Sequence, residues 1–190
     1  MNIWMVEKTD NGWSTPSPLP EPINTVQLEN EEWPSSNNNF FFTNDGETFY
    51  FTSMMRGSKS IKLYQTKFDG KDFSEPKAID GIWDDEKFWI YSAVISPNGR
   101  YLIFNSHGAS GGTGGEDIFV SKKTDNGWSK AQPIGPLINT KEEESSPRFS
   151  RDGKYFFFSR AANLGNYEYG EWSIFFVETE YLNLENLFKN

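Results

Sequence analysis

One phrase is written three times along this chain, and it constrains the fold more than any single motif. Residues 41–53, 94–106 and 148–159 each place an Asp/Asn-Gly pair (Asp45-Gly46, Asn98-Gly99, Asp152-Gly153) between two short runs of aromatic and branched side chains. The pairs recur at intervals of 53 and then 54 residues, a true repeat that outranks isolated motifs. A two-residue turn tolerant of positive φ between two such runs predicts a β-hairpin in each copy. A second hairpin follows in the same unit, over 61–76 in one copy and 117–129 in the next. Each repeat therefore reads as four antiparallel strands, A and B around the first turn, C and D around the second.

Four-stranded units at fixed spacing, rich in aromatics and punctuated by turn residues, are the sequence form of propeller blades, which bury both faces by stacking around an axis. Residues 3–14 match 118–129, so the chain opens on strands C and D of a blade. Near its end, 172–177 reads as a third strand and 182–188 as a short helix rather than a strand. The expected fold class is an all-β propeller of four-stranded antiparallel blades, incomplete here, with two full and two partial blades. The expected organisation is a single propeller segment over 1–190: a partial blade over 1–39, full blades over 40–92 and 93–146, and a last blade with strands A to C plus a tail over 147–190.

The Ser-Pro-Asn-Gly-Arg-Tyr-Leu-Ile-Phe hairpin at 96–104, the Gly-Gly-Thr-Gly-Gly-Glu-Asp-Ile-Phe-Val-Ser run at 111–121, and Gly-Trp-Ser at 127–129 leading to Ile138-Asn139-Thr140 resemble the WD-like, TolB-like β-propeller repeats of bacterial envelope proteins, often found beside OmpA-type domains. The resemblance covers nearly the whole chain. It implies a PD40-type tandem-repeat propeller, a periplasmic or extracellular setting, and a binding or scaffold role, since such propellers are mostly recognition platforms and one fold hosts many activities. Family members usually carry about six blades, and the first copy here has Phe42-Thr43-Asn44 where the others have Ser-Pro or Ser-Arg.

Composition fits one compact domain: 190 residues, 36% hydrophobic and 17% aromatic, the last well above ordinary usage and suited to blade-to-blade packing. The absence of cysteine excludes disulfides and thiolate metal sites and fits either redox compartment. A formal charge of −9 argues against nucleic acid or an anionic membrane surface as partner. No run reaches the length of a membrane span, and 1–5 lacks the regions of a signal peptide, so no export signal is expected in this stretch.

Blade faces are apolar, and each large side chain left wet at an open end costs roughly 1.5–3 kcal/mol. Three arrangements avoid this: missing N-terminal blades of a longer propeller, a homodimer completing a ring of about six blades, or a small closed ring. A start in mid-blade favours the first.

In an up-and-down sheet all A–B and C–D turns share one end, and the longer B–C and D–A loops share the other. Turn chemistry accounts for Asp45, Asp69, Asn98, Asp125 and Asp152 as structural residues. The long-loop end collects Trp33, Asn37 to Asn39, Arg56, Lys59, Trp83 to Glu86, Phe88, Trp89, His107, Glu142 to Glu144, Arg160, Tyr167 and Tyr169. Aromatics interleaved with amides and charges can stack on sugars or peptide side chains while hydrogen-bonding their polar groups. Candidate ligand-binding residues are Trp83, Trp89, His107, Arg160 and Tyr167. Register places His107 roughly where Arg160 stands in the next copy. The glycine run over 108–115 precedes a strand rather than opening a helix, which sets it apart from phosphate-binding turns and reads as a flexible loop. A lone histidine without cysteine is a poor metal ligand or nucleophile. No cofactor, no metal and no catalytic residue is therefore assigned.

The expected function is a non-catalytic recognition or scaffold module binding a protein or cell-wall glycan on the long-loop end. The alternative is a carbohydrate-active hydrolase or lyase with Asp85, His107 and Asp117 as acid–base group, since hydrolysis needs paired carboxylates across the scissile bond.

Overall fold

The computed structural model describes residues 2–24, 36–54, 60–83, 88–107, 109, 111–165 and 168–189. The chain is all-β, a partial propeller of four-stranded antiparallel blades. It divides into two compact units, Met1–Ala78 and Ile79–Asn190.

In the first unit, β1 (Trp4–Met5) pairs with β4 (Ser17–Pro18), and β2 (Lys8–Thr9) with β3 (Gly12–Trp13). Strands β5 (Ser36–Phe42), β6 (Thr48–Met54), β7 (Lys62–Lys67) and β8 (Lys77–Ala78) form an antiparallel sheet in the order β5-β6-β7-β8. Alternation along β6 turns Phe49 and Phe51 to one face, where they pack with Tyr64 on Ile3, Leu19 and Ile23.

In the second unit, β9 (Ile90–Ile95), β10 (Tyr101–His107), β11 (Glu116–Thr124) and β12 (Gly127–Trp128) are hydrogen-bonded in sequence order, and β13 (Gln132–Pro133) also pairs with β11. A further sheet is built from β14 (Glu143–Phe149), β15 (Tyr155–Ala161) and, beyond the small β16 (Asn163–Gly165) and β17 (Glu168–Tyr169) hairpin, β18 (Ser173–Glu178), in the order β14-β15-β18. Tyr101, Ile103, Ile118 and Val120 of one sheet interlock with Phe156 and Phe158 of the other in a single core, which Leu182 and Leu184 of the tail complete. The tail itself folds as two 3-10 turns, Thr179–Leu182 and Asn186–Phe188.

The repeated hairpins close by one device. Thr43, Ser96 and Ser150 each donate a hydroxyl to the residue two ahead (Asp45, Asn98, Asp152; 2.6–2.7 Å) and accept the N–H of the residue five ahead (Thr48, Tyr101, Tyr155). Only the glycine of each pair takes positive φ, 74°, 71° and 72°, so the turn is longer than the two-residue form expected from the sequence. Each A–B strand pair also carries a register shift near its long-loop end, and two of the three place a non-glycine residue, Asn39 or Ser146, at positive φ there.

Candidate functional site

At the long-loop end of the second unit β9 begins, β10 ends at His107, β11 begins at Glu116, and β14 begins at Glu143. The residue that ties these strands together is Asn105, fully buried. Its Oδ1 accepts the Ser92 N–H (3.1 Å) and Ser92 hydroxyl (2.6 Å), while its Nδ2 donates to Glu116 Oε2 (2.9 Å) and Ser145 Oγ (3.2 Å). One carboxamide thus bridges β9, β11 and β14.

Four carboxylates open β11 and β14 at this end, and three of them accept backbone N–H groups. Asp117 accepts the N–H groups of Thr113 (2.9 Å) and Gly114 (3.0 Å) and the Thr113 hydroxyl (3.1 Å). Glu143 accepts the Glu116 N–H. Glu144, fully buried, accepts the Thr140 N–H (3.0 Å) and hydroxyl (2.7 Å) and an ion pair from Arg160 Nε (2.8 Å). Burial nevertheless raises the Glu144 pKa above the ordinary carboxylate value, opposed by Thr140 and Arg160. The fourth, Glu116, also lies above it: burial is the main cause, the Glu143 charge adds to it, and hydrogen bonds from Ser145 and Asn105 pull the other way.

The glycine run has a specific use here. A Cβ on Gly112 would strike the Asp117 carboxylate, one on Gly114 the Glu142 carbonyl, and one on Gly115 the Glu143 carboxylate. Over 112–115 the loop is therefore held close against β11 and β14, and the backbone donors of a phosphate cradle are taken up by Asp117.

The candidate residues fall into different settings. Trp83 is half-buried, stacked on Phe88 (centroids 4.4 Å apart) and set edge-on against Phe119 (5.0 Å) and Phe104 (5.9 Å), so its ring is occupied by packing. Trp89 is half-buried beside Tyr91, their centroids 6.2 Å apart at 53°. His107 is half-buried and stands directly across the strand pair from Glu116. Arg160 holds Glu144, donates Nη2 to the Ile138 carbonyl (2.7 Å), and lies over the rings of Phe158 and Phe175. Strand register sets Arg160 level with Ser106 rather than His107, so the two face opposite sides of their sheets. Tyr167 lies outside the described residues, as do Trp33, Arg56, Lys59, Asp84, Asp85 and Glu86. Of the acid–base group Asp85, His107 and Asp117, Asp85 lies outside the described residues, and Asp117 accepts hydrogen bonds from Thr113 and Gly114.

Sequence reasoning missed Asn105 and Ser145, which lie within strands rather than loops. The cross-strand pairing of Asn105 with Ser92 would have been the signal, had register been known. At the opposite end a cavity of about 450 Å³ lies between the turns at Ser96 and Asp152 and the tail residues Thr179, Asn183 and Glu185. There burial and the neighbouring Glu185 carboxylate push the Tyr101 hydroxyl up to about 12. Among the described residues no group of three or more His, Asp or Glu side chains is placed to hold a metal ion, and no helix is long and apolar enough to cross a membrane.

No family model and no curated protein matches the chain. Among solved structures it is similar to one from Agrobacterium tumefaciens assigned as TolB, with TM-score 0.55 and 17% identity over 93% of this chain and 57% of that one. It is also similar to a periplasmic gluconolactonase from Pseudomonas aeruginosa (TM-score 0.40, 14% identity, 73% of this chain and 41% of that one). A third is a structure from Bacteroides uniformis assigned as a 6-phosphogluconolactonase (TM-score 0.44, 12% identity, 88% and 50%). The chain spans about half the length of these structures. The first likeness shows the fold, a TolB-like propeller, and at this identity the fold alone.

Proposed function

We propose that this chain is a non-catalytic recognition module, acting outside the cytoplasm, whose long-loop end binds a cell-wall glycan. The observation that carries this reading is the Trp89–Tyr91 pair at the start of β9, the strand whose Ser92 is held by Asn105, at an end where the carboxylates of Asp117, Glu143 and Glu144 are committed to the scaffold. Tilted aromatic rings at the same end of a blade as hydroxyl and amide groups match the two needs of a sugar, an apolar face to stack on and polar groups to pair with its hydroxyls. The bacterial-envelope resemblance of the repeats supports the compartment, and the net charge of −9 disfavours anionic polymers as ligands.

Calorimetric titration with soluble peptidoglycan fragments tests it. Binding that Trp89→Ala weakens about tenfold or more, with no change in fragment mass after incubation, is the expected result. Binding unaffected by Trp89→Ala, or found only with protein partners, overturns it.

A hydrolase is the second reading, because Glu116 combines a raised pKa with His107 directly across from it and Glu143 beside it, the setting of a general acid. It requires fragment cleavage that Glu116→Gln abolishes while binding persists.

A further inference from the structure

Inside the second unit one blade face receives another, and the residues doing so are known by position. Tyr101, Ile103, Ile118 and Val120 form the receiving face, and Phe156 and Phe158, with Val177 beside them, form the inserted one. Repeat register carries both faces onto the rest of the chain. The pairs Ile103↔Val120 and Phe157↔Phe176 are equivalent, as are Asn105↔Ile118 and Ser159↔Ile174. The receiving face of the β14-β15-β18 sheet is therefore Tyr155, Phe157, Ile174 and Phe176. No described residue of the second unit covers it: Ile174 is 79% and Phe176 66% exposed, against 0% for Ile118 and Val120.

A matching inserted face that is exposed lies at the other end of the sequence. Aligning 3–14 with 118–129 makes Ile3 the equivalent of Ile118, and hence Trp4 and Val6 the equivalents of Phe175 and Val177. Ile3 is buried in the first unit, whereas Trp4 is 58% and Val6 46% exposed. One end of the chain thus presents an unfilled receiving face and the other an unused inserted face, both centred on strand C, the strand that carries Ile174, Phe176, Trp4 and Val6. Exposed apolar surface of this kind marks an interaction site.

We infer that copies of this chain associate head to tail, the Ile174/Phe176 face of one taking the Trp4/Val6 face of the next. The two surfaces differ, so the contact is heterologous and propagates to a closed ring or an open chain rather than ending in a symmetric pair.

Light-scattering masses of the parent and two surface variants test this, with near-UV circular dichroism confirming that each variant is folded. The parent is expected at a multiple of the 21.9 kDa chain mass, and Trp4→Glu and Phe176→Glu each at 21.9 kDa. Mixing the two variants supplies one intact face of each kind and should give a one-to-one dimer that grows no further. A monomeric parent overturns the inference, whether Trp4 is then solvent-exposed or closed within its own chain. So does an oligomer that survives both substitutions, or a mixture that stays monomeric.

Discussion

The carboxamide of Asn139 grips the backbone of Ile118 from both sides, its Oδ1 accepting the Ile118 N–H (3.0 Å) and its Nδ2 donating to the Ile118 carbonyl (2.9 Å). The first unit repeats the clamp at the same separation: Asn24 accepts the Ile3 N–H (2.9 Å) and donates to the carbonyls of Ile3 (2.9 Å) and Leu19 (2.6 Å). In each unit it ties the loop after strand D to strand C, pairing the strand's N–H, while the same residue's carbonyl also accepts a backbone N–H, from Ile134 at Ile118 and from Leu19 at Ile3.

Asn139→Ala should therefore cost about 1–3 kcal/mol, because it leaves the buried Ile118 N–H unpaired, while the Ile118 carbonyl keeps the Ile134 N–H. Urea unfolding checks the magnitude, and faster amide exchange at Ile118 checks the cause. A loss below about 0.5 kcal/mol would show that the clamp is replaceable.

Gly115→Ala should destabilise by about 1–3 kcal/mol through collision with the Glu143 carboxylate rather than through backbone strain, since Gly115 does not have positive φ. In a Glu143→Ser background the same substitution should cost markedly less, a coupling that a double-mutant cycle measures directly. Equal costs in the two backgrounds would assign the glycine another role.

The raised pKa of Glu116 makes a signed prediction. Folding favours the protonated form of this group, so its contribution is fully present below its ordinary pKa near 4.5 and is lost as pH rises through the folded value. Each unit of upward displacement is worth about 1.4 kcal/mol. Glu116→Gln keeps an acceptor for Asn105 and cannot ionise, so its stability relative to the parent should grow from pH 4 towards pH 8. Glu144 is raised in both proteins and cancels in the difference. Asp45, Asp69, Asp152 and Glu185 are lowered, so they cost stability only as pH falls, which confines their effect to the acid end. Unfolding midpoints with a gap independent of pH would contradict this assignment.

The hairpins were legible because their chemistry is local: a hydroxyl, an Asp or Asn two residues on, and a glycine specify the turn within six residues. The clamp was visible only as a repeated Ile-Asn-Thr at 23–25 and 138–140, because its partner lies 21 residues away and the pairing is tertiary. The bulges at Asn39 and Ser146 had no local mark, since neither is glycine. The site was legible as an end of the sheet but not as a set of partners. The ion pair between Arg160, read as a ligand contact, and Glu144 was not visible in the sequence, and two of the three residues Glu142, Glu143 and Glu144 are buried although a run of charge reads as surface.

The most direct test of the account is amide exchange on the chain with and without soluble peptidoglycan fragments. Recognition at the long-loop end predicts slowed exchange over residues 88–92, 105–107 and 116–117, with the turn end unchanged. Protection confined instead to the opposite cavity, at Ser96 to Asn98, Asp152 and Thr179 to Asn186, would contradict it and move the binding site to the other end of the blades.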